Sequence, residues 1–118
     1  MDRGLSRKYR LPPQLISKVL EGGRMVKGRI IKFKYLPSSG TNSRLAIIVT
    51  KKYGKAVLRN RFRRLVREFF RLNRYLLKEK YDFVFLARMR KKGLKYQDLE
   101  LELKELWEKW ELISGNFG

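Results

Sequence analysis

Apolar residues recur at helical intervals through the middle of the chain. Leu58, Phe62, Leu65, Phe69, Leu72 and Leu76 follow one another at spacings of three and four, with Val66 beside them. That is the stripe of a helix packed on a core, and it predicts a helix from about Ala56 to near Leu77. At roughly 100° per residue, Arg59, Asn60, Arg63, Arg64, Arg67, Arg71 and Arg74 gather on the opposite arc, and Arg61 lies near the border between the two.

The flanking segments have other periods. LPPQLISKVLEGG (11–23) predicts a short amphipathic helix, with Pro12 and Pro13 suited to its start and Gly22 or Gly23 to its end. Leu15, Ile16, Val19 and Leu20 form its small apolar face, and Leu15 and Val19 read as core. Residues 24–36 alternate towards their end, Ile31, Phe33 and Tyr35 facing one way and Lys32 and Lys34 the other. This is a half-buried strand with a basic outer surface, in a region long enough for a second strand. PSSGTNS (37–43) reads as a turn or mobile loop.

RLAIIVTK (44–51) is a β-branched strand. Leu45, Ile47 and Val49 share one face; Ala46, Ile48, Thr50 and Lys52 share the other. The turn at Gly54 leads straight into the Arg-rich helix, so a basic strand end adjoins a helix N-terminus, where backbone N–H groups favour anions. YDFVFLAR (81–88) is another strand, followed by the basic loop RMRKKG (88–93). A last helix runs from about Tyr96 to Leu112. Leu99, Leu103, Leu106, Trp107 and Trp110 make its buried stripe, and Glu100, Glu102, Glu105, Glu108 and Glu111 its outer surface.

The order is α-β-β(-β)-α-β-α, an α+β layer fold in a single domain spanning 1–118. Residues 1–10 read as a mobile basic arm and 113–118 as a frayed tail. Helices covering one sheet face would leave the other open, lined by Lys32, Lys34, Ile48, Thr50 and Lys52.

Charge sharpens this picture. Thirty Lys and Arg against eleven Asp and Glu give +19, and the pI of 10.7 exceeds the value of about 9 that marks nucleic-acid binders. Six of the acids lie in 98–111, so residues 1–97 carry 28 basic and 5 acidic side chains. Like charges four apart on a helix repel, and in the rows 59, 63, 67, 71 and 64, 67, 71, 74 only Glu68 offers relief. A face that keeps such repulsion meets a polyanion. Arginine rather than lysine points to phosphate, which guanidinium grips bidentately. An open basic sheet beside the helix suits single-stranded RNA or a folded RNA's backbone better than a DNA major groove.

Catalytic chemistry is scarce. The chain has no His and no Cys, which removes the commonest general base and the thiol nucleophile. The carboxylates before residue 97 stand singly (Asp2, Glu21, Glu68, Glu79, Asp82), and Asp82 reads as a local hydrogen-bonder. No catalytic residue and no metal ligand is assigned. Lack of cysteine suits a reducing cytoplasm, and no apolar run reaches the ~18–20 residues of a membrane span.

The run TKKYGKAVLRNRFRRLVREFFR (50–71) resembles the Arg-Asn-Arg signature of the bacterial ribonuclease P protein subunit. The likeness extends through ISKVLEGGRMVKGR (16–29), RLAIIVTKK and YDFVFLAR, and covers roughly residues 8–110. It implies a small α/β sandwich with a mixed sheet and a left-handed β-α-β crossover around the Arg-rich helix, where the general rule is right-handed. It implies that a partner RNA is the catalyst. That RNA uses Mg²⁺ to remove the 5′ leader of precursor tRNA, while the protein holds the leader and needs no protein partner.

Carried over by position, the resemblance places Lys51, Lys55, Arg59, Asn60, Arg61, Arg63, Arg64, Arg67 and Arg71 against the catalytic RNA. Ile16, Leu20, Lys34, Ile48, Thr50 and Lys52 would line the leader cleft. Aromatics are common in the family where Ile16 and Leu20 stand, and basic residues where Pro12 and Pro13 stand. Asn60 has two readings, an N-cap or first-turn residue or a donor to phosphate. The other class open to these residues is a ribosomal or other structured-RNA-binding protein without a role in cleavage.

Overall fold

A computed structural model describes residues 5–117. Helix α1 (Pro13–Gly22) leads into strands β1 (Arg24–Lys27), β2 (Ile31–Pro37) and β3 (Arg44–Ile48). Helix α2 (Ala56–Asn73) then precedes strand β4 (Tyr81–Ala87) and helix α3 (Tyr96–Lys109). The sheet order is β1-β2-β4-β3. β2 pairs antiparallel with β1 and β4, and β3 runs parallel to β4.

One sheet face carries the main core. Val26, Ile31, Phe33, Leu45, Phe83 and Phe85 meet Phe62, Leu65, Val66, Phe69 and Phe70 of α2 and Leu99, Leu103 and Trp107 of α3. Aromatic rings fill the centre: Phe83 stacks on Phe85 at 5.2 Å and on Trp107 at 5.5 Å. The other face is not left open. α1 packs there through Val19 against Val84, with Leu11 buried beside them and Ile16, Leu20, Leu36, Ala46, Ile48 and Leu86 around the edge. An apolar helix face needs a partner surface, and the alternate residues of β2, β4 and β3 supply one.

The β3-α2-β4 crossover is left-handed, which follows from one hydrogen bond and the chirality of L-residues. When a strand runs upward with a side chain towards the viewer, that residue's own C=O points to the viewer's right. Leu45 faces the α2 layer, and its C=O accepts from the Leu11 N–H at 2.9 Å on the strand's outer edge. β4 therefore lies to the left, opposite to the usual right-handed connection.

Several expectations are corrected. The buried side of α2 includes Phe70 and Asn73, so the stripe is wider than predicted and turned towards them, and Leu72 is left exposed. The α-helix stops at Asn73, and a 3-10 turn (Arg74–Leu76) carries Leu76 outward. Trp110, at the α3 C-cap, is also exposed, with Arg24 over its ring at 6.0 Å.

The chain ends are tied down. Arg7–Tyr9 forms a 3-10 turn, Arg10 bridges Leu45 in parallel, and Tyr9 packs on Phe70. The rest of the expected arm, residues 1–4, lies outside the described residues. Ile113 pairs with Leu77, and the Phe117 N–H donates to Glu108, so the tail before Gly118 is docked, not frayed. The 37–43 turn is closed by the Ser38 hydroxyl donating to the Asn42 carbonyl, and buried Ser43 accepts from the Tyr81 N–H. Glu102, expected on the solvated face of α3, accepts from the Ile30 and Ile31 N–H groups at 2.8 and 2.9 Å.

Candidate nucleic-acid interface

The residues around the Arg-rich helix divide into two surfaces, and local structure decides which side chain joins which. Thr50 follows the end of β3, and Lys51–Tyr53 form a 3-10 turn rather than more strand. Gly54 then turns with φ 150°, outside the range other residues adopt readily. An added Cβ there would also stand 3.0 Å from Leu58 and 3.1 Å from Arg90. Lys55 is the N-cap of α2, and its carbonyl accepts from Leu58 and Arg59 N–H. Lys51, Lys52 and Lys55, all exposed, thus crowd the positive end of α2.

Asn60 is neither N-cap nor in the first turn. It lies in the second turn of α2, exposed, and its side-chain carbonyl accepts from Arg63 at 3.0 Å. Arg64 is exposed, while Arg59, Arg63 and Arg67 are half-buried along the same side. Arg59 donates to the Gly54 carbonyl at 3.2 Å. Arg63 and Arg67 join Arg10 around a shallow hollow of about 190 Å³ on the outer edge of β3. Arg10 had no assigned role, because the sequence gives no sign that its segment lies beside β3.

Arg71, Arg61 and Arg74 are also held by the protein itself. Arg71 makes a two-pronged pair with Glu68, its shorter contact 2.6 Å. Arg61 donates twice to the Leu94 carbonyl, at 2.9 and 3.2 Å, and so leans towards the 88–95 loop. Arg74 donates to the Tyr9 hydroxyl at 3.0 Å and lies 4.2 Å over its ring, and that hydrogen bond holds the Tyr9 hydroxyl below its usual pKa.

The second surface is the sheet face beside α1. Strand register stacks Lys34, Val84 and Ala46 in one cross-strand row, with Lys32, Leu86 and Ile48 in the next. α1 covers the first row. Ile16, Leu20 and Ile48 are half-buried in the small cluster under it, so each spends part of its surface on packing. Lys34 donates to the Leu20 carbonyl near the C-terminal, negative end of α1.

Beyond the second row, Thr50 and Lys52 line a trough of about 520 Å³ with Tyr53, Ala87, Arg88 and Arg90. Arg88 and Arg90 had gone unassigned. The signal was present, since Arg88 lies two residues beyond Leu86 in a strand of period two. The six residues predicted to form one cleft therefore fall into a packed end (Ile16, Leu20, Lys34, Ile48) and an open end (Thr50, Lys52).

Comparison with known proteins decides the family. The family model described as Ribonuclease P matches residues 5–111. The chain belongs to the ribonuclease P protein family. It is 38% identical over 90 residues to the ribonuclease P protein component of Clostridioides difficile, covering 75% of this chain and 79% of that one. The Thermotoga maritima RNase P protein superposes with a TM-score of 0.74 at 26% identity, over 90% of this chain and 98% of that one. A mutant RNase P protein of Staphylococcus aureus, described as defective in mRNA degradation activity, has the same fold, with a TM-score of 0.80 at 24% identity over 91% and 92%.

Membership makes the chain a component of the ribonuclease P endoribonuclease, with a role in maturing tRNA 5′ ends and an association with the RNase P RNA. No helix among the described residues is long and apolar enough to cross a membrane.

Proposed function

We propose that the two surfaces bind two different RNAs. The Arg face of α2, from Arg59 to Arg71 with Lys51 and Lys55 at its N-terminal end, docks on the catalytic RNA. The trough that begins under α1 and opens at Thr50, Lys52, Arg88 and Arg90 holds the single-stranded 5′ leader of precursor tRNA. Lys52 sits between the two.

The observation that carries this reading is the row of arginines on one side of a helix whose other side is the core. Bound phosphate relieves their mutual repulsion, and guanidinium matches its geometry. The trough suits a single strand because Tyr53 and Ala87 offer apolar contact while Lys52, Arg88 and Arg90 follow the backbone.

Mg²⁺ is assigned to the RNA. The polypeptide raises the local hold on substrate, and the RNA makes the cut.

Cleavage of precursor tRNA at low Mg²⁺ tests this. Protein alone is expected to be inert, the catalytic RNA alone weak, and the mixture active. Cleavage by the polypeptide alone, or RNA binding without stimulation, would overturn it.

A further inference from the structure

Between the N-terminal turn of α2 and the loop to α3, where the two RNA surfaces meet, lies a cavity of about 260 Å³. This is just below the ~300–1,000 Å³ of sites for larger ligands, and is room for one flat ring. Its floor is apolar, made of Tyr53, Leu58 and buried Leu94. Tyr53 rests against Phe62, with ring centroids 5.4 Å apart, so the core fixes the aromatic wall from behind. The rim is cationic: Arg61, Arg90, Lys91 and Lys92.

Arg61 is held in place by its two hydrogen bonds to the Leu94 carbonyl. Charge and shape together select the occupant. An apolar partner would not tolerate four cations at the mouth, and a bare anion would leave the apolar faces of Tyr53, Leu58 and Leu94 without contact. A nucleobase with phosphates on either side satisfies both. It stacks its ring on tyrosine and lays its backbone across arginine and lysine.

We infer that this cavity receives one unpaired, extruded base of the catalytic RNA. The inference rests on the docking of α2 proposed above, because Leu58 and Arg61 belong to the flank of that helix. Tyr53 and Arg90 also line the trough, so a base seated here shares a wall with the leader-binding surface. Filling the cavity then fixes the side chains that the leader meets.

Lys92→Cys provides a specific probe, because the chain has no cysteine of its own. A photo-crosslinker on that thiol, in the assembled holoenzyme, is expected to mark one unpaired nucleotide of the catalytic RNA. Tyr53→Leu keeps the bulk but removes the aromatic face. It is expected to weaken catalytic-RNA binding about tenfold, the scale of one stacked base, while leaving the salt dependence unchanged. Tyr53→Phe should restore affinity.

Crosslinks to the leader or spread along paired RNA, or an affinity of Tyr53→Leu within twofold of the unaltered protein, would overturn the inference. Arg64→Ala in the same assay separates the two levels. If it weakens binding and Tyr53→Leu does not, the cavity assignment alone falls. If neither does, the docking reading falls with it.

Discussion

Arg44 and Asp82 form a two-pronged ion pair across β3 and β4, with Nε to Oδ1 at 2.9 Å and Nη2 to Oδ2 at 2.8 Å. Both are largely buried, and the carboxylate raises the pKa of Arg44 further. The pair sits where parallel β3 and β4 begin, opposite the open end of the trough. Removing one partner leaves a charge without compensation in a dry place, so Arg44→Ala is expected to cost about 3–5 kcal/mol. Replacing both, with Arg44→Met and Asp82→Leu, should cost far less. Urea unfolding of the single and the double variant measures the difference, and equal losses would mean that the pair itself, not the stranded charge, matters.

The docking surface makes a separate prediction. Arg64→Ala should weaken binding to the catalytic RNA by roughly tenfold, about 1.4 kcal/mol, and lower the log-log salt slope by about one. Leader discrimination should hold. A titration over a salt series reads both quantities.

Lys52→Ala and Arg88→Ala should act the other way. Each is expected to narrow the preference for precursor over mature tRNA severalfold, with smaller effects on docking. Competition between the two tRNAs for the assembled holoenzyme tests this, and the two-surface division fails if Arg64→Ala and Lys52→Ala move both measurements equally.

Glu102 closes the turn between β1 and β2 from 72 and 71 residues away, through the Ile30 and Ile31 N–H groups. Glu102→Ala leaves two donors unmatched and should cost about 2–4 kcal/mol. Gly28→Ala attacks the same joint, since an added Cβ would stand 2.2 Å from the Glu102 carboxylate oxygen and 2.7 Å from the Ile31 carbonyl. Thermal unfolding should rank both well below a surface control.

Tyr96 gives a pH signature. Burial, then the nearby Glu100 and Glu68 carboxylates, push its hydroxyl up to about 12. The unfolded chain releases this proton near 10, so between 10 and 12 the folded state binds more protons and stability falls as pH rises. The contribution is complete below 10. Tyr96→Phe should flatten that decline without destabilising the protein at neutral pH, because the buried hydroxyl makes no well-formed hydrogen bond: the neighbouring Asn73 side chain donates to the Phe69 carbonyl instead. Tyr53 and Tyr81 are shifted the same way by burial, so part of the slope should remain in a denaturation series from pH 9 to 12.

Strand faces were readable from alternation, because period two fixes the side of every residue from Ile31 to Tyr35 and from Leu45 to Val49. The Arg face of α2 was readable because like charges in register need a reason. What covers a face was not readable. Alternation shows that Ala46 and Ile48 point away from Leu45 without showing that α1 lies on them. The reach of Glu102 to Ile30, and of Tyr9 to Arg74, spans most of the chain and leaves no local period. Trp110 continued a helical stripe on paper, but the helix had already ended at Lys109.

Strand order also sets a timetable for synthesis. β2 and β3 do not pair with each other; both wait for β4. When Asn73 leaves the ribosome, α2 is complete but its platform is only the β1–β2 hairpin, and a cationic amphiphile is held with its greasy side bare. The last third of the chain closes that side, so translation products ending before Tyr81 should cling to nucleic acid and membranes alike, while the finished protein keeps its selectivity.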